Sequence, residues 1–303
     1  MFIINNINHP FFEIADYIEF CALKNSDGTC SIAGLRAALS APEDEIDING
    51  TEAGDDAVLN KLSGALVENS ERNTVFSGYP FTINKNSLCC KNVLTGKEAY
   101  YVFLLLANRL NMQTEKIQGG QNATDLFERL CRYVISEYLG GHCKSEVLGT
   151  SGSNDFDIKV NDILRKMDFP GCYKKPYGGT GKEKDGGIDI IAWIPFEDRK
   201  DSLLIALGQC KTGSNWERFL KKNEFFSKYT TYTPYVNPIY FFFVTEDFGE
   251  YKWEERSKDA GVLFDRRRIL EFIPTDIYSI DAQLDADIHT WVNAALQYIR
   301  TGY

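Results

Sequence analysis

The stretch that decides the fold is residues 177–215, which read YGGTGKEKDGGIDIIAWIPFEDRKDSLLIALGQCKTGSN. A glycine-rich turn leads into an apolar run, Ile188–Ile194, and a charged turn separates this run from a second one, Leu203–Lys211. Short apolar runs bounded by turn residues are typical of buried strands. The stretch therefore predicts two neighbouring strands joined by a turn.

Each predicted strand carries polar side chains in an otherwise apolar run. Asp189 lies between two isoleucines, and Gln209 and Lys211 close the second strand on one face, because side chains alternate along a strand. A carboxylate and an ammonium in such a pair of strands cost free energy unless they are paired or bound to a metal. Two interpretations follow: a hairpin with a local Asp–Lys ion pair, or, as we favour, a divalent-metal site for phosphodiester cleavage.

The overall composition is that of an ordinary globular protein with one large domain or two moderate ones. No apolar run is long enough to span a membrane and the first residues lack the pattern of a signal peptide, so we expect a cytoplasmic protein with reduced thiols and no membrane partner. The eight cysteines show no zinc-type spacing. The three histidines are widely spread, which disfavours histidine-based nucleases and Ser-His-Asp hydrolases.

The charge is unevenly distributed along the chain. A formal net charge of −10 argues against a protein that coats nucleic acid by bulk electrostatics. Basic residues nevertheless gather in and around the central stretch: Lys159, Arg165, Lys166, Lys174, Lys175, Lys182, Lys184, Arg199, Lys200, Arg218, Lys221 and Lys222. Beside a metal-carboxylate site, such a surround favours a phosphate backbone as the ligand.

Residues 1–118 are predicted to form a separate, mostly helical accessory domain. Helical apolar spacing and one hairpin pattern recur along it, with helices at 11–23, 32–39, 56–68 and 98–111 and the hairpin at 79–91. This order is like that of a winged helix, but the third helix is acidic and would repel phosphate. We therefore expect the domain to bind a protein partner or a second copy of the chain.

Residues 119–303 are predicted to form an α/β domain. Residues 114–122, with Gly119-Gly120, are the expected linker. Thr124 is expected to cap the first helix, which Gly140-Gly141 ends. Further helices are predicted at 155–167, 216–229, 253–261 and 284–300, and further strands at 238–245 and 262–264. This order predicts an α/β sandwich around a central mixed sheet.

Two segments of the predicted α/β domain carry a family resemblance. Asp185-Gly186-Gly187-Ile188-Asp189, followed on the next strand by Gln209-Cys210-Lys211, resembles the PD-(D/E)xK nuclease superfamily and, within it, the Mrr-like restriction endonuclease branch. The resemblance covers roughly residues 123–275 and implies a restriction-endonuclease-like fold. It also implies a Mg²⁺- or Mn²⁺-dependent endonuclease that cuts DNA in defence against foreign DNA, as the effector of a multi-protein system. RNA is the alternative substrate.

The predicted site has a role for each of its residues. Asp189 is the expected carboxylate ligand of the metal, and the amide oxygen of Gln209 a second, uncharged ligand. The resemblance adds the backbone carbonyl of Cys210. Lys211 is expected to orient or deprotonate the attacking water, or to stabilise charge on the phosphate.

An acidic residue on a preceding helix completes the pattern that the resemblance implies. We prefer Asp157, which follows Phe156, and Glu128, which follows Phe127, is the alternative. Asp157 is one methylene shorter than the glutamate of the family pattern.

Other interpretations compete with this site. Residues 178–182, GGTGK, are similar to a phosphate-binding loop, but no strand precedes them and Glu183 replaces the expected Ser or Thr. Trp193 and Trp216 are expected to serve packing, and Arg266–Arg268 either contact phosphate or form a solvated strand exit. A non-cleaving nuclease-fold subunit for nucleic-acid binding or assembly is the alternative function.

Overall fold

The computed structural model of the protein describes residues 2–4, 8–39, 51–148, 156–176, 187–213, 215–220 and 224–302, without the side chains of 51–55. The GGTGK segment at 178–182 and Asp185-Gly186 lie outside the described residues. The chain forms two compact units. The first comprises Met1–Gln121, Glu246–Tyr251 and Ile288–Tyr303, and the second comprises Asn122–Thr245 and Lys252–Asp287.

The helices are, in chain order, α1 (Phe11–Lys24), α2 (Ile32–Leu39), α3 (Thr51–Val75), α4 (Lys97–Arg109), α5 (Ala123–Leu139), α6 (Phe156–Lys166), α7 (Phe225–Tyr229), α8 (Trp253–Ser257), α9 (Arg266–Glu271), α10 (Ile277–Ile280) and α11 (Ala282–Thr301). The strands are β1 (Thr29–Ser31), β2 (Phe81–Asn84), β3 (Ser87–Cys90), β4 (Ile117–Gln118), β5 (Gln121–Asn122), β6 (Lys144–Val147), β7 (Ile190–Ile194), β8 (Leu204–Lys211), β9 (Ile239–Val244) and β10 (Val262–Phe264). A 3-10 helix occupies Trp216–Phe219. No helix in the described part of the chain is long and apolar enough to cross a membrane.

The first unit packs its helices around an antiparallel sheet of order β1-β3-β2. The hairpin predicted at 79–91 is confirmed as β2 and β3, and α1, α2 and α4 lie where helices were predicted. Helix α3 is much longer than predicted. Helix α4 is buried from Ala99 to Arg109, which explains its nearly continuous apolar sequence.

A fully buried arginine lies at the centre of the first unit. Arg72 on α3 pairs with Asp16 at 2.6 Å and with Glu19 at 2.9 Å, both on α1. Its Nε lies 3.1 Å from the carboxylate of Asp247. Because unpaired buried charges are costly, this network ties the segment Glu246–Tyr251 to α1 and α3.

The second unit is built on a five-stranded sheet of order β10-β9-β8-β7-β6. Strands β6, β7 and β8 pair antiparallel, whereas β8, β9 and β10 pair parallel. The two strands predicted within residues 177–215 are confirmed as β7 and β8, and the sheet is mixed, as expected for the α/β class. Strand β8 is central and largely buried.

Helices α5 and α6 cover opposite faces of this sheet. Helix α6 contributes to an apolar cluster that contains Leu207 of β8. Helix α5 packs against β8 and brings Cys131 beside Cys210. Since Leu207 and Cys210 are three residues apart on one strand, they point to opposite faces.

The predicted linker Gly119-Gly120 is a tight turn between β4 and β5. Both glycines have positive φ, 55° and 79°, which glycine adopts without steric cost. The N-cap of α5 is Asn122, whose side chain accepts a hydrogen bond from the Thr124 N–H. The prediction of Thr124 as the cap was wrong because β5 continues to Asn122 and the helix begins directly after it.

The helix predicted at 216–229 is also wrong as a continuous element. The 3-10 helix ends at Phe219, where Leu220 turns to extended backbone, and α7 begins at Phe225. Residues 221–223 lie outside the described part. The segment Trp216–Phe219 therefore follows β8 as a separate short turn of helix.

Candidate functional site

The site lies where β7 begins and β8 ends. Asp189 directly precedes β7, and its backbone joins both neighbouring strands. Its N–H donates to Gly208 O at 2.9 Å, and its carbonyl accepts from Leu148 N at 2.8 Å. The backbone of Asp189 is therefore fixed from both sides.

The strand is irregular at Asp189. Ile190 is in register with Gly208, yet the Asp189 N–H also bonds to Gly208, so two residues oppose one. Ile188 and Ile191 share one apolar cluster although they are three residues apart, which regular alternation would not allow. This arrangement is that of a β-bulge, and it re-aims the side chain of Asp189.

Gly208 makes room for this irregularity. A Cβ at Gly208 would lie 3.2 Å from the Cβ of Ile190 and 3.2 Å from a ring carbon of Phe243. Both separations are tighter than ordinary van der Waals contact. The missing side chain thus leaves room for the side chains of Ile190 and Phe243 over β8 beside the site.

The structure brings Asp189 and Lys211 together. Asp189 is 3% exposed, and its Oδ2 accepts a hydrogen bond of 2.6 Å from the N–H of Cys210. The same oxygen lies 3.7 Å from Nζ of Lys211, whose side chain is 25% exposed. The carboxylate is thus buried, whereas the Lys211 side chain keeps part of its surface exposed.

Gln209 is half-buried on β8 between these residues. Alternation along the strand puts its side chain on the face opposite that of Cys210, the face of Lys211. Strand β8 thus carries Gln209 and Lys211 at positions of one face.

Two neutral thiols lie on the other face. Burial raises the pKa of Cys210 well above its usual value, and the nearby Cys131, Asp189 and Glu128 raise it further. Burial likewise raises the pKa of Cys131. Both thiols are protonated at neutral pH, so a ligand contributed by Cys210 would be its backbone carbonyl rather than a thiolate.

The charges that act on the two thiols indicate where one candidate for the third acid lies. The charges of Glu128 and Asp189 both act on Cys131 and Cys210, which places Glu128 of α5 beside the same pair of thiols as Asp189. Asp157 is half-buried in the first turn of α6, the helix on the opposite face of the sheet. Glu128 therefore lies on the thiol side of the sheet, whereas Asp157 lies on the side that alternation along β8 gives to Gln209 and Lys211.

An aromatic ring that the predicted helix at 216–229 would have turned inward lies beside Lys211. The Lys211 ammonium is 5.4 Å from the ring centroid of Phe219, within the range of a cation–π contact. Phe219 is 48% exposed, although it is large and apolar. Its sequence context shows no signal, because the short segment WERF resembles any amphipathic turn.

Arg266 and Arg268 make structural contacts. Asp265 caps α9 by accepting from the Arg268 N–H, so the segment begins a helix rather than a solvated strand exit. Arg266 is fully buried and donates to Thr245 O. Arg268 donates to Leu263 O and lies over the ring of Trp253. These contacts leave Arg266 no access to a phosphate.

The donors at the site suit a hard divalent cation. The two strands supply oxygen donors in the Asp189 carboxylate, the Gln209 amide and the Cys210 carbonyl. Among the described residues, no three His, Cys, Asp or Glu side chains gather as ligands. Magnesium is commonly held by one or two carboxylates and keeps several waters, so this donor set fits magnesium or manganese and does not fit a closed zinc site.

Comparison of the chain with protein-family models, with curated proteins and with solved structures found no match. The geometry of the site and the motifs that form it are therefore the basis for a proposed function.

Proposed function

We propose that the protein is a metal-dependent endonuclease of the PD-(D/E)xK type that hydrolyses phosphodiester bonds of DNA, with the Mrr-like branch as its family and defence against foreign DNA as its setting. One observation carries the proposal: the buried carboxylate of Asp189 lies 3.7 Å from the partly exposed ammonium of Lys211. A structural ion pair alone does not require the bulge at Asp189 or the oxygen donors around it.

The chemistry divides between the metal and the chain. A bound Mg²⁺ supplies a Lewis acid and lowers the pKa of a coordinated water. Asp189 is preorganised for binding the cation, because the Cys210 N–H and the flanking strands fix its position. Lys211 reaches the solvent side of the carboxylate, where it would hold the attacking water or stabilise the additional negative charge on the phosphate.

Glu128 is our choice for the third acid, in place of Asp157. The reason is that α5 packs directly against β7 and β8, the two strands that carry the site, and that the charge of Glu128 acts on Cys210, whose N–H holds Asp189. Under this assignment, Glu128→Gln lowers cleavage strongly, whereas Asp157→Asn leaves it near that of the wild type. The reverse order of effects would restore Asp157.

The test is cleavage of supercoiled plasmid DNA and of single-stranded DNA in the presence of Mg²⁺. We expect Asp189→Ala and Lys211→Ala to lose activity by roughly 100-fold or more, in line with the removal of a general acid–base or charge-stabilising group. Asp198 and Lys200 form a matched control, because they make an exposed ion pair of 3.5 Å in the turn at the other end of the same two strands. Equal activity in the wild type, in Asp189→Ala and Lys211→Ala, and in the alanine variants of Asp198 and Lys200 would refute the site assignment.

A non-cleaving nucleic-acid-binding subunit is the second candidate. It is favoured by the absence, among the residues that the structure describes, of three acidic, histidine or cysteine ligands in one group. Binding of DNA without cleavage under any metal condition would support this role. Competition between DNA and RNA of one sequence would identify the polymer.

We place target selection outside the second unit. The net charge of −10 gives the whole chain little attraction for a polyanion, so we propose that a protein partner or a second copy docks on the acidic N-terminal part and brings the site to DNA. Selective DNA cleavage by the purified chain alone would argue against this arrangement.

A further inference from the structure

Phe219 is an exposed aromatic ring at the mouth of the proposed site. Its ring is 48% exposed and 5.4 Å from Nζ of Lys211, the group that lies beside Asp189. A ligand phosphate that pairs with Lys211 would therefore have this ring as its neighbour.

The short helix that carries Phe219 is firmly anchored. Trp216, in the same turn, is 1% exposed and packs its ring 5.7 Å from that of Phe242 on β9. The guanidinium of Arg256 lies 5.1 Å from the Trp216 ring and pairs with Glu217. The turn is thus fixed to the sheet while the Phe219 ring stays at the surface, as a preorganised binding surface requires.

Burial of the Phe219 ring in the core does not explain its position. A phenylalanine that serves packing is covered, as Phe225 and Phe226 are a few residues later, both less than 5% exposed. The contact with Lys211 covers only part of the Phe219 ring. An uncovered ring beside a cation offers one surface for a base and one charge for a phosphate.

We propose that Phe219 stacks against an unpaired base of the substrate, next to the phosphate held at Lys211. The inference rests on the proposed function for the phosphate and adds the substrate class: DNA with unpaired bases, such as a single strand, a flap or a frayed end. In an intact duplex both faces of each base are already stacked on neighbours, so a protein ring reaches a base face only after the base is unstacked. Because every base has a π-face, the contact tolerates any sequence.

The experiment compares binding of oligothymidine with binding of an abasic deoxyribose-phosphate oligomer of equal length, in buffer without divalent metal. Both polymers present the same phosphates, and only the first presents bases. For the wild type we expect Kd to be roughly 5- to 150-fold lower for oligothymidine, the range of one base–aromatic stack. A duplex of equal length should lack this advantage.

Substitutions at two exposed phenylalanines make the result specific. Phe219→Ala should remove the preference for oligothymidine and leave binding of the abasic oligomer unchanged, and Phe219→Trp should keep the preference. Phe196 is the matched control, since it is 60% exposed and follows the end of β7 that lies away from Asp189. Phe196→Ala should behave like the wild type.

The outcomes separate this inference from the proposed function. Equal affinity of the wild type for both oligomers, or an equal loss of both in Phe219→Ala, would overturn the stacking role even if the plasmid is cut. A base-dependent preference that Phe219→Ala removes would support it even if no cleavage occurs. Failure to bind either oligomer would overturn both the phosphate site and the stacking role.

Discussion

The geometry of single residues distinguishes two kinds of ion pair in this protein. Arg72 and Asp16 are fully buried and separated by 2.6 Å, a direct hydrogen bond. Asp189 and Lys211 are separated by 3.7 Å, beyond the usual hydrogen-bond length, and Lys211 is partly exposed. The first pair satisfies its charges within the protein. The second leaves the ammonium able to approach a third group, which is what a site for an anionic substrate requires.

Substitution of Gly208 tests the tight packing beside Asp189. Gly208→Ala should lower the free energy of unfolding by about 1–3 kcal/mol, because the new Cβ would crowd Ile190 and Phe243 at 3.2 Å. The expected displacement of Ile190 also disturbs the bulge at Asp189, so metal-dependent cleavage should fall with stability. Chemical denaturation and plasmid cleavage measure the two effects.

Gly141→Ala is the control for Gly208→Ala. No heavy atom lies within 4 Å of a Cβ at Gly141, and its φ is not in the left-handed region. There the substitution should be neutral or slightly stabilising, since alanine restricts the unfolded chain. A neutral Gly208→Ala would show that the sheet relaxes around the added methyl group and that Gly208 is dispensable.

Individual elements show why sequence predicted some of the fold and missed the rest. Strands β7 and β8 were predicted because residues buried on both faces leave long apolar runs between turn residues. Strand β6 was missed, because KSEV has one apolar residue and lies at the edge of the sheet. The break after Phe219 was missed because apolar spacing continues across it. The polar residues of β8 were found from their spacing, whereas Phe219 is distinguished only by its exposure, which sequence does not encode locally.

Asp281 stabilises the start of helix α11 in a pH-dependent way. Asp281 Oδ1 accepts the Leu284 N–H at 2.9 Å at the start of the helix. Burial alone would raise the pKa of Asp281, but this hydrogen bond, that from Tyr133 and the charge of Arg129 outweigh it and lower the pKa. The folded state thus binds the proton less readily than the unfolded state, and the stabilisation is complete above the ordinary pKa of about 4 and is lost as pH falls through the lowered value.

Two variants separate the cap of α11 from its charge. Asp281→Ala should lose about 1 kcal/mol at neutral pH, because it removes the acceptor at the helix start. Asp281→Asn should keep most of the cap, since asparagine is also a good N-cap, and should lose the pH-dependent part. Urea denaturation at pH 7 and below pH 4 tests both. An unchanged pH profile in Asp281→Asn would contradict the assignment.

In the whole molecule, the two compact units are not two consecutive parts of the sequence. The first unit takes residues from three places in the sequence, and α11 begins in the second unit and ends in the first. Helical periodicity identified α11 but gave no indication of which apolar partners it would meet. Trp291, for example, donates to Lys116 O at 2.9 Å and packs edge-on against Phe103, 5.3 Å away.

Fragments of the chain should differ in stability according to how they divide helix α11 between the two units. A fragment of residues 122–287 contains all of the second unit and should unfold in one cooperative transition. A fragment of residues 119–303 adds the C-terminal part of α11, whose buried apolar residues would then have lost their partners: Ile288, Trp291, Val292, Ala295 and Ile299. We expect this longer fragment to self-associate or to bind a hydrophobic dye, because it exposes a continuous apolar stripe.

The first unit should be destabilised when the N-terminal part of the chain is expressed alone. A fragment of residues 1–118 lacks Trp291 and also lacks Asp247, the carboxylate 3.1 Å from Arg72 Nε. Removing one partner from a buried charge network typically costs about 3–5 kcal/mol, a large share of the stability of a domain this size. Circular dichroism of this fragment should therefore show a broad, weakly cooperative transition, and adding residues 246–303 as a separate chain should sharpen it. A sharp transition for residues 1–118 alone would mean that neither chain segment is needed for that unit to fold.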